Sequence, residues 1–330
     1  MKIKHAKSPC CGVNFIRCGG RRRQCLECKC TWRIRKKKVG RKTSRGDHLL
    51  LFRFLRHVIG SSLARADHGH KKARTLQRKL VRSRDLFCRT HSWPELPKQT
   101  PLILVADAMI KCINKRWYSV YCMFLRTARG KRAVIAPPVI RPGKESAPEW
   151  WIALDTIPKD ILLNIKAIVC DGHLGMLTYA KRKHWLIQRC QFHLIASIQG
   201  RRSRWGKSRH RKEGDDVYKL VKQVLDADVD ADIDSLLTQI DNLALSTTSP
   251  ELRKVLRGFV NHAEDYRIYR YHPALRLPRT NNTGESFIGC IESLLHRMRG
   301  TSTTEAMMKW VEALVKFKKT ILCNGFHQPN

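Results

Sequence analysis

Two short apolar runs, each handing the chain to an aspartate, constrain this 330-residue sequence more than any other feature. Leu102-Ile103-Leu104-Val105-Ala106 has the unbroken hydrophobicity of a strand buried on both faces, and it delivers Asp107 at its end. Lys166-Ala167-Ile168-Val169-Cys170 repeats the pattern and ends in Asp171-Gly172. Strands of this kind belong to sheets covered on both sides, so the central fold class is α/β. Residues 117–125 and 132–139 read as two further strands, and Pro148 opens a helix that runs to Ile157. One Asp after a strand is most simply a turn residue or a helix cap. Two at the ends of neighbouring strands of one sheet lie a few ångströms apart, and sharing divalent cations relieves their repulsion.

A third carboxylate stands far downstream. Thr280-Asn281-Asn282-Thr283-Gly284-Glu285 opens a helix whose apolar face is Phe287, Ile291, Leu294, Leu295 and Met298. The Asn282-x-x-Glu285 spacing is that of a capping box, which gives Glu285 a local role at a backbone N–H. A Glu in the first turn also projects from the helix end, within reach of a metal held by two strand-end aspartates. The last helix, 303–321, carries Met307, Trp310, Leu314 and Phe317 on one face and reads as core.

Charge supplies the partner. Lys and Arg number 65 against 27 Asp and Glu, a formal net charge of +38, which attracts polyanions and favours nucleic acid. With 42% hydrophobic residues the chain can still bury a core, which excludes a disordered basic tail. The first hundred residues hold 28 basic and 5 acidic side chains, so that third is the expected primary grip. Residues 201–212 add seven basic residues and no acid, among them Arg201, Arg202 and Arg204 around Trp205, whose indole can stack on an unpaired base. From Glu213 to Asp241 the balance reverses to nine carboxylates against two Lys, which marks a separate, helix-patterned subdomain. No apolar run approaches the ~20 residues of a membrane span, and the first residues lead into Cys and Arg rather than a signal peptide. The expectation is a soluble, cytoplasmic, nucleoid-associated chain without a membrane partner.

Of 13 cysteines, six fall within residues 10–30 and the other seven are scattered through apolar sequence. Clustered cysteines of this kind suggest metal and scattered ones packing. Cys25-Leu26-Glu27-Cys28 has the x₂ spacing that converges two thiolates on one tetrahedral Zn²⁺. Upstream, Ser8-Pro9-Cys10-Cys11-Gly12 occupies the place of the second knuckle. Cys11, Cys25 and Cys28 are the expected ligands, with Cys10 or His5 as the fourth. The pattern resembles the zinc ribbons of many transposases and transcription proteins, departing from them at Ser8, where their first ligand stands.

Residues 34–45 form a charge run, and Asp47 can cap a helix with Leu50, Leu51, Phe54, Leu55 and Val58 at helical spacing. Gly60 ends it, residues 61–66 make a short helix, and residues 70–84 a strongly basic one. This is the outline of a helix-turn-helix that presents Lys71, Lys72, Arg74, Arg78 and Lys79 to DNA; a basic hairpin that merely solvates itself has the same pattern.

Taken together, Asp107, Asp171 and Glu285, with Thr280-Asn281-Asn282 and Arg297-Met298-Arg299-Gly300, resemble the catalytic core of insertion-sequence transposases of the DDE class, in particular the Mutator-like branch and its bacterial relatives. Cys190-Gln191-Phe192-His193 is similar to that branch's Cys/Asp-x-x-His signature, to which Cys190, His193, Asn281 and Asn282 belong. The resemblance implies a multidomain α/β chain: a zinc ribbon over 1–40, a helix-turn-helix over 41–95, and a ribonuclease H-like mixed-sheet core over 96–195 and 280–330, interrupted by a helical insertion over 196–279. It implies two Mg²⁺ (or Mn²⁺) ions on Asp107, Asp171 and Glu285, hydrolytic nicking at transposon ends in double-stranded DNA, and attack of the freed 3′-hydroxyl on target DNA by a homo-oligomer. Arg297 and Arg299 would then contact phosphate near the site, while Cys190 and His193 would order the junction between core and insertion. Two other readings stay open: a DNA-binding regulator with no catalysis, and a structure-specific nuclease on the same fold.

Overall fold

The computed structural model describes residues 10–18, 22–33, 51–52, 54–55, 70–98, 101–202, 211–297 and 303–323. They fall into two compact units, Met1–Leu49 and Leu50–Asn330.

The first unit is a three-stranded antiparallel sheet in the order β1 (Phe15–Arg17), β2 (Arg22–Cys25), β3 (Thr31–Arg33). Its described aromatic contact is one edge-to-face pair, Phe15 on Trp32 at 5.4 Å. A sheet this small buries too little apolar surface to stand alone, so its stability depends on a staple.

The second unit has helical residues at 51–52 and 54–55, then helix α1 (His70–Thr90), and is built on a seven-stranded mixed sheet. Strands β4 (Leu102–Ile113) and β5 (Arg116–Thr127) form a long antiparallel hairpin turned by Asn114 and Lys115, both at positive φ. β6 (Arg132–Ile135) and β7 (Val139–Pro142) pair with different stretches of β5. Helices α2 (Ala147–Leu154) and α3 (Lys159–Leu162) lead to β8 (Ile165–Cys170), α4 (Leu174–Arg182) and β9 (Leu186–Arg189). β8 and β9 extend the sheet in parallel from β4. Next come α5 (Gln191–Arg202), α6 (Arg211–Asp226), α7 (Asp234–Ser246), α8 (Pro250–Val260) and α9 (Ile268–Tyr271). α10 (Asn282–Arg297), α11 (Thr304–Lys318) and the edge strand β10 (Thr320–Leu322), antiparallel to β6, complete the unit. Among the described residues no helix is long and apolar enough to cross a membrane.

Strand alternation divides the core in two. Ile103, Val105 and Met109 of β4 share a cluster with Phe87 of α1, Phe287 and Ile291 of α10 and Trp310 of α11. Leu102, Leu104 and Ala106 share the other with Trp150 of α2, Ile161 of α3 and Met176 of α4. Helices α2 and α4 touch backbone to backbone: a Cβ on Gly175 would lie 2.6 Å from Ala147 Cα. The helices from α5 to α8 have a third core of their own, with Ile198, Val221, Ile240, Leu256 and Phe259 fully buried.

Several expectations are corrected. β4 does not end at Asp107 but runs on to Ile113, because the hairpin with β5 continues beyond the point where β8 stops. The expected strand 132–139 is two strands, broken at Pro137-Pro138, where the ladder loses its N–H donors. The last helix ends at Lys318; Lys319 adopts φ +57, and Ile321 belongs to an edge strand. Helix α5 starts at Gln191, and its Leu194 already belongs to the core of the helical region.

The described residues between 51 and 95 pack on the sheet rather than into a core of their own. Leu51, Phe54, Leu55, Leu80 and Phe87 are buried in the sheet's own core, and Arg84, 4% exposed, lies over the Trp310 ring. The apolar phase of α1 is spent on that core, while Arg78 and Lys79 are exposed on it. The short helix expected at 61–66 lies outside the described residues. If α1 is integral to the sheet unit, Phe87→Ala lowers the stability of the whole unit by about 3–5 kcal/mol. Urea unfolding followed by the sheet's tryptophans would then show one transition at a lower midpoint; an independent 41–95 domain would leave that transition in place.

Candidate active site and metal centre

The pairing of β4 with β8 sets up the site. Val105 stands opposite Val169, and both point to the face covered by α10. Two residues further along, alternation returns Asp107 to that same face, where it meets Gly284 of α10, while Asp171 follows directly on the last residue of β8. Beyond Asp171 the chain leaves the sheet through Gly172 at φ +97.

Asp107 is 5% exposed. Its Oδ1 accepts the Ala108 N–H at 2.9 Å, and its Oδ2 is buried with no hydrogen-bond partner. Burial, then the charges of Glu285 and Asp171, push its carboxyl up to about 8. Asp171 Oδ1 accepts the His173 N–H at 2.9 Å. His173 caps α4, its Nδ1 accepting the Gly175 N–H at 3.1 Å.

Helix α10 brings the third carboxylate. Its cap is Asn281, not Asn282: Asn281 Oδ1 accepts the Gly284 N–H at 3.2 Å, and Nδ2 donates to the Ala106 carbonyl at 3.0 Å. Asn281 therefore ties the helix start to the strand that carries Asp107. A Cβ on Gly284 would lie 2.7 Å from Asp107 Cβ and 2.8 Å from its Oδ2, so only glycine permits this approach. Glu285, next in the chain, is released from the capping-box role and meets His193 Nε2 at 2.9 Å. Asn282 is exposed at the helix start.

Cys190 is fully buried; its N–H donates to the Cys170 carbonyl at 2.7 Å, and its Sγ accepts the Asn281 N–H at 3.0 Å. The Cys190 to His193 stretch thus touches the catalytic candidates from one side, thiol to Asn281 and imidazole to Glu285. Two contributors carry no motif in the sequence. One is Gly284, and the other is Arg189 at the end of β9, paired with Asp265 at 3.2 Å and lying 3.6 Å from where a Gly172 Cβ would stand. A glycine directly before the candidate Glu was the one available signal.

In the first unit Cys10, Cys11, Cys25 and Cys28 bring their sulfurs within 4.8 Å of one another, a set that could hold a metal such as zinc. Cys10 takes the fourth position; His5 and Ser8 lie outside the described residues. Cys10 and Cys28 sulfurs are 3.3 Å apart, and contact with Cys28 is the chief cause that pushes the Cys11 thiol up to about 12. Thiols crowded this way ionise together only when a cation compensates them. Gly12 at φ +66 and Lys29 at φ +56 turn the two knuckles. Among the described residues this is the one group of three or more such ligands at that spacing; the three carboxylates interact across a wider gap.

Of the expected DNA contacts, Arg78 and Lys79 are exposed on α1, and Lys71, Lys72 and Arg74 belong to its first two turns. Arg201 and Arg202 end α5 and Arg297 ends α10, whereas Arg204, Trp205 and Arg299 lie outside the described residues. A scan of protein-family models found no match to the chain, and a search of curated proteins found none.

Two measurements follow. Purified chain should carry one equivalent of zinc by elemental analysis; Cys11→Ser or Cys28→Ser should remove it, and Cys18→Ser or Cys30→Ser should not. For Asp107 the raised folded value, against 3.8 in the unfolded chain, means the native state holds the proton more tightly. Native stability of metal-free protein therefore falls as pH rises from 3.8 towards about 8. Asp107→Asn removes that loss, so its advantage over the wild type in urea unfolding should grow across this window by at most about 1.4 kcal/mol per pH unit. An advantage independent of pH would contradict the assignment.

Proposed function

We propose that this chain is a DNA transposase of the DDE class, built on a ribonuclease H-like core with a helical insertion and preceded by a zinc ribbon. One observation carries the reading: Asp107, buried on a central strand of a mixed sheet, feels the charges of both Glu285 in the first turn of α10 and Asp171 at the end of the parallel neighbour strand. A regulator that only binds DNA has no use for a buried Asp107 carboxyl held beside two further acids at a stability cost.

The donor set fits divalent cations of the Mg²⁺ type, which take carboxylate oxygens and leave positions for substrate phosphate. The buried, unpartnered Oδ2 of Asp107 is the atom most in need of a positive partner. Asp107, Asp171 and Glu285 would hold the ions, which would supply Lewis-acid activation of a water or 3′-hydroxyl and stabilisation of the leaving 3′ oxygen. The remaining work belongs to the chain. Asn281 and Gly284 fix the approach of α10 to Asp107. His193 holds the Glu285 carboxylate. The net charge of +38 draws the DNA polyanion, and the exposed Arg78 and Lys79 on α1 are part of that surface.

The test uses duplexes that bracket the reading frame, incubated with the full chain and Mg²⁺. The expected products are nicks with free 3′-hydroxyls and their joints to a second duplex. Asp107→Asn and Glu285→Gln should keep duplex affinity within about twofold while losing cleavage by roughly three orders of magnitude. Cleavage without joining would identify a nuclease, and binding without cleavage by the wild-type chain a regulator.

A further inference from the structure

The end of the sheet remote from the carboxylates holds a cavity of about 710 Å³. β8 enters the sheet beside it at Ile165 and reaches Asp171 only at its other end, so the cavity has no part in the chemistry above. Its apolar lining comes from Leu162, Ile165 and Trp185, with Leu163, 77% exposed, in the wall. Exposed Lys159, Lys166, Lys183 and His184 complete it. The one carboxylate present, Asp155, is engaged by the Tyr179 hydroxyl at 2.6 Å. The socket is thus apolar within and cationic around.

The same chain carries the matching shape. Between α6 and α7, Asp226-Ala227-Asp228-Val229-Asp230-Ala231-Asp232-Ile233-Asp234 places an aspartate at every second position. The stretch is a held turn rather than a loose one: the Ala231 N–H donates to the Asp228 carbonyl at 3.2 Å, and Arg267 donates to the Ala227 and Asp228 carbonyls at 3.2 and 2.7 Å. Its tip presents Val229, 44% exposed, flanked by exposed Asp228, Asp230 and Asp232. An apolar knob with an acidic rim meets an apolar socket with a basic rim.

We propose that the cavity receives the 226–234 turn of a second copy of this chain. Within one copy the turn does not fill the cavity: Arg267 holds it elsewhere, with Val229 exposed. β9 starts next to Trp185 in the cavity wall and ends at Arg189, whose partner Asp265 belongs to the segment that anchors the turn through Arg267. Cavity and turn therefore lie towards opposite ends of β9. A phosphate backbone would satisfy the lysines but leave Leu163 and the floor around Trp185 in water, so the occupant is an acidic, apolar-tipped peptide surface rather than DNA. Each copy offers one knob and one socket, so the contact is heterologous and propagates head to tail unless its rotation closes a ring.

Sedimentation at about 100 µM chain and roughly 0.15 M salt tests this on three proteins. Wild-type chain should sediment above the mass of one copy. The socket variant Lys159→Glu/Lys166→Glu/Lys183→Glu and the knob variant Asp228→Lys/Asp230→Lys/Asp232→Lys should each stay at one-copy mass. An equimolar mixture of the two should recover two-copy mass, because each variant supplies the half that the other lost. If either charge variant fails to fold by circular dichroism, Leu163→Asp and Val229→Asp replace it, both at exposed positions. A wild type of one-copy mass overturns the proposal. So do variants that keep the wild-type mass, a mixture that stays single, or a socket variant whose only defect is weaker DNA binding.

Discussion

The parallel pairing of β4 with β8 is the constraint on which the candidate site depends. It sets Val105 against Val169, and the two-residue period of a strand then puts Asp107 on the face that α10 covers, with Asp171 just past the end of β8. A slip of one residue in either strand would send its aspartate to the opposite face, among Trp150, Leu154 and Met176 and away from α10. Such a slip is blocked because both faces of these strands are buried, and moving one residue would exchange two filled cores at once. Burial of a Phe, Leu or Ile side chain is worth about 1.5–3 kcal/mol. The apolar contacts of Phe287, Ile291 and Leu294 on β4 and β5 are thus of a size to hold like charges together near Asp107.

Closeness at the third corner is set by what is missing from a side chain. Gly284 has no Cβ, and the space a Cβ would need is taken by Asp107 itself. Asn281 then converts contact into orientation, with its amide donating to β4, its carbonyl oxygen holding the first turn of α10 and its backbone N–H reaching Cys190. The helix N-terminus carries partial positive charge towards Asp107. That favours the carboxylate, but less than burial and two neighbouring acids disfavour it, and the raised carboxyl is the net result.

Much of this arrangement is legible in the residues alone. The unbroken apolar runs, the aspartates after them, the phase of the 287–295 helix and the Cys-x-x-Cys knuckle each follow from a local rule. What escapes local rules depends on neighbours distant in sequence. Residues 108–113 look like the start of a loop after Asp107, yet they are strand because residues 116–121 pair with them. Helix α1 reads as a DNA-binding helix by its charges, whereas its buried positions, Leu80 and Phe87, answer to Trp310 and its neighbours some two hundred residues on. Asn281 and Asn282 are equivalent caps on paper; the carbonyl of Ala106 chooses the first. His193 comes to Glu285 only because β9 and α10 meet at Cys190 and Asn281.

The joint between the sheet and the helical region is made differently from either core. Gln188, fully buried, donates to the Tyr266 carbonyl at 2.9 Å and accepts the Tyr269 N–H at 2.8 Å, and Gln191 donates to the same Tyr266 carbonyl at 2.9 Å. Arg189 between them pairs with Asp265 and lies against Gly172. An apolar joint tolerates sliding, since one methyl contact replaces another at little cost. A buried polar joint does not, because any displacement leaves donors and acceptors unpaired at about 1–3 kcal/mol each. The helical region is therefore held at one angle to β9, and its hold runs through the residue that touches the turn after Asp171.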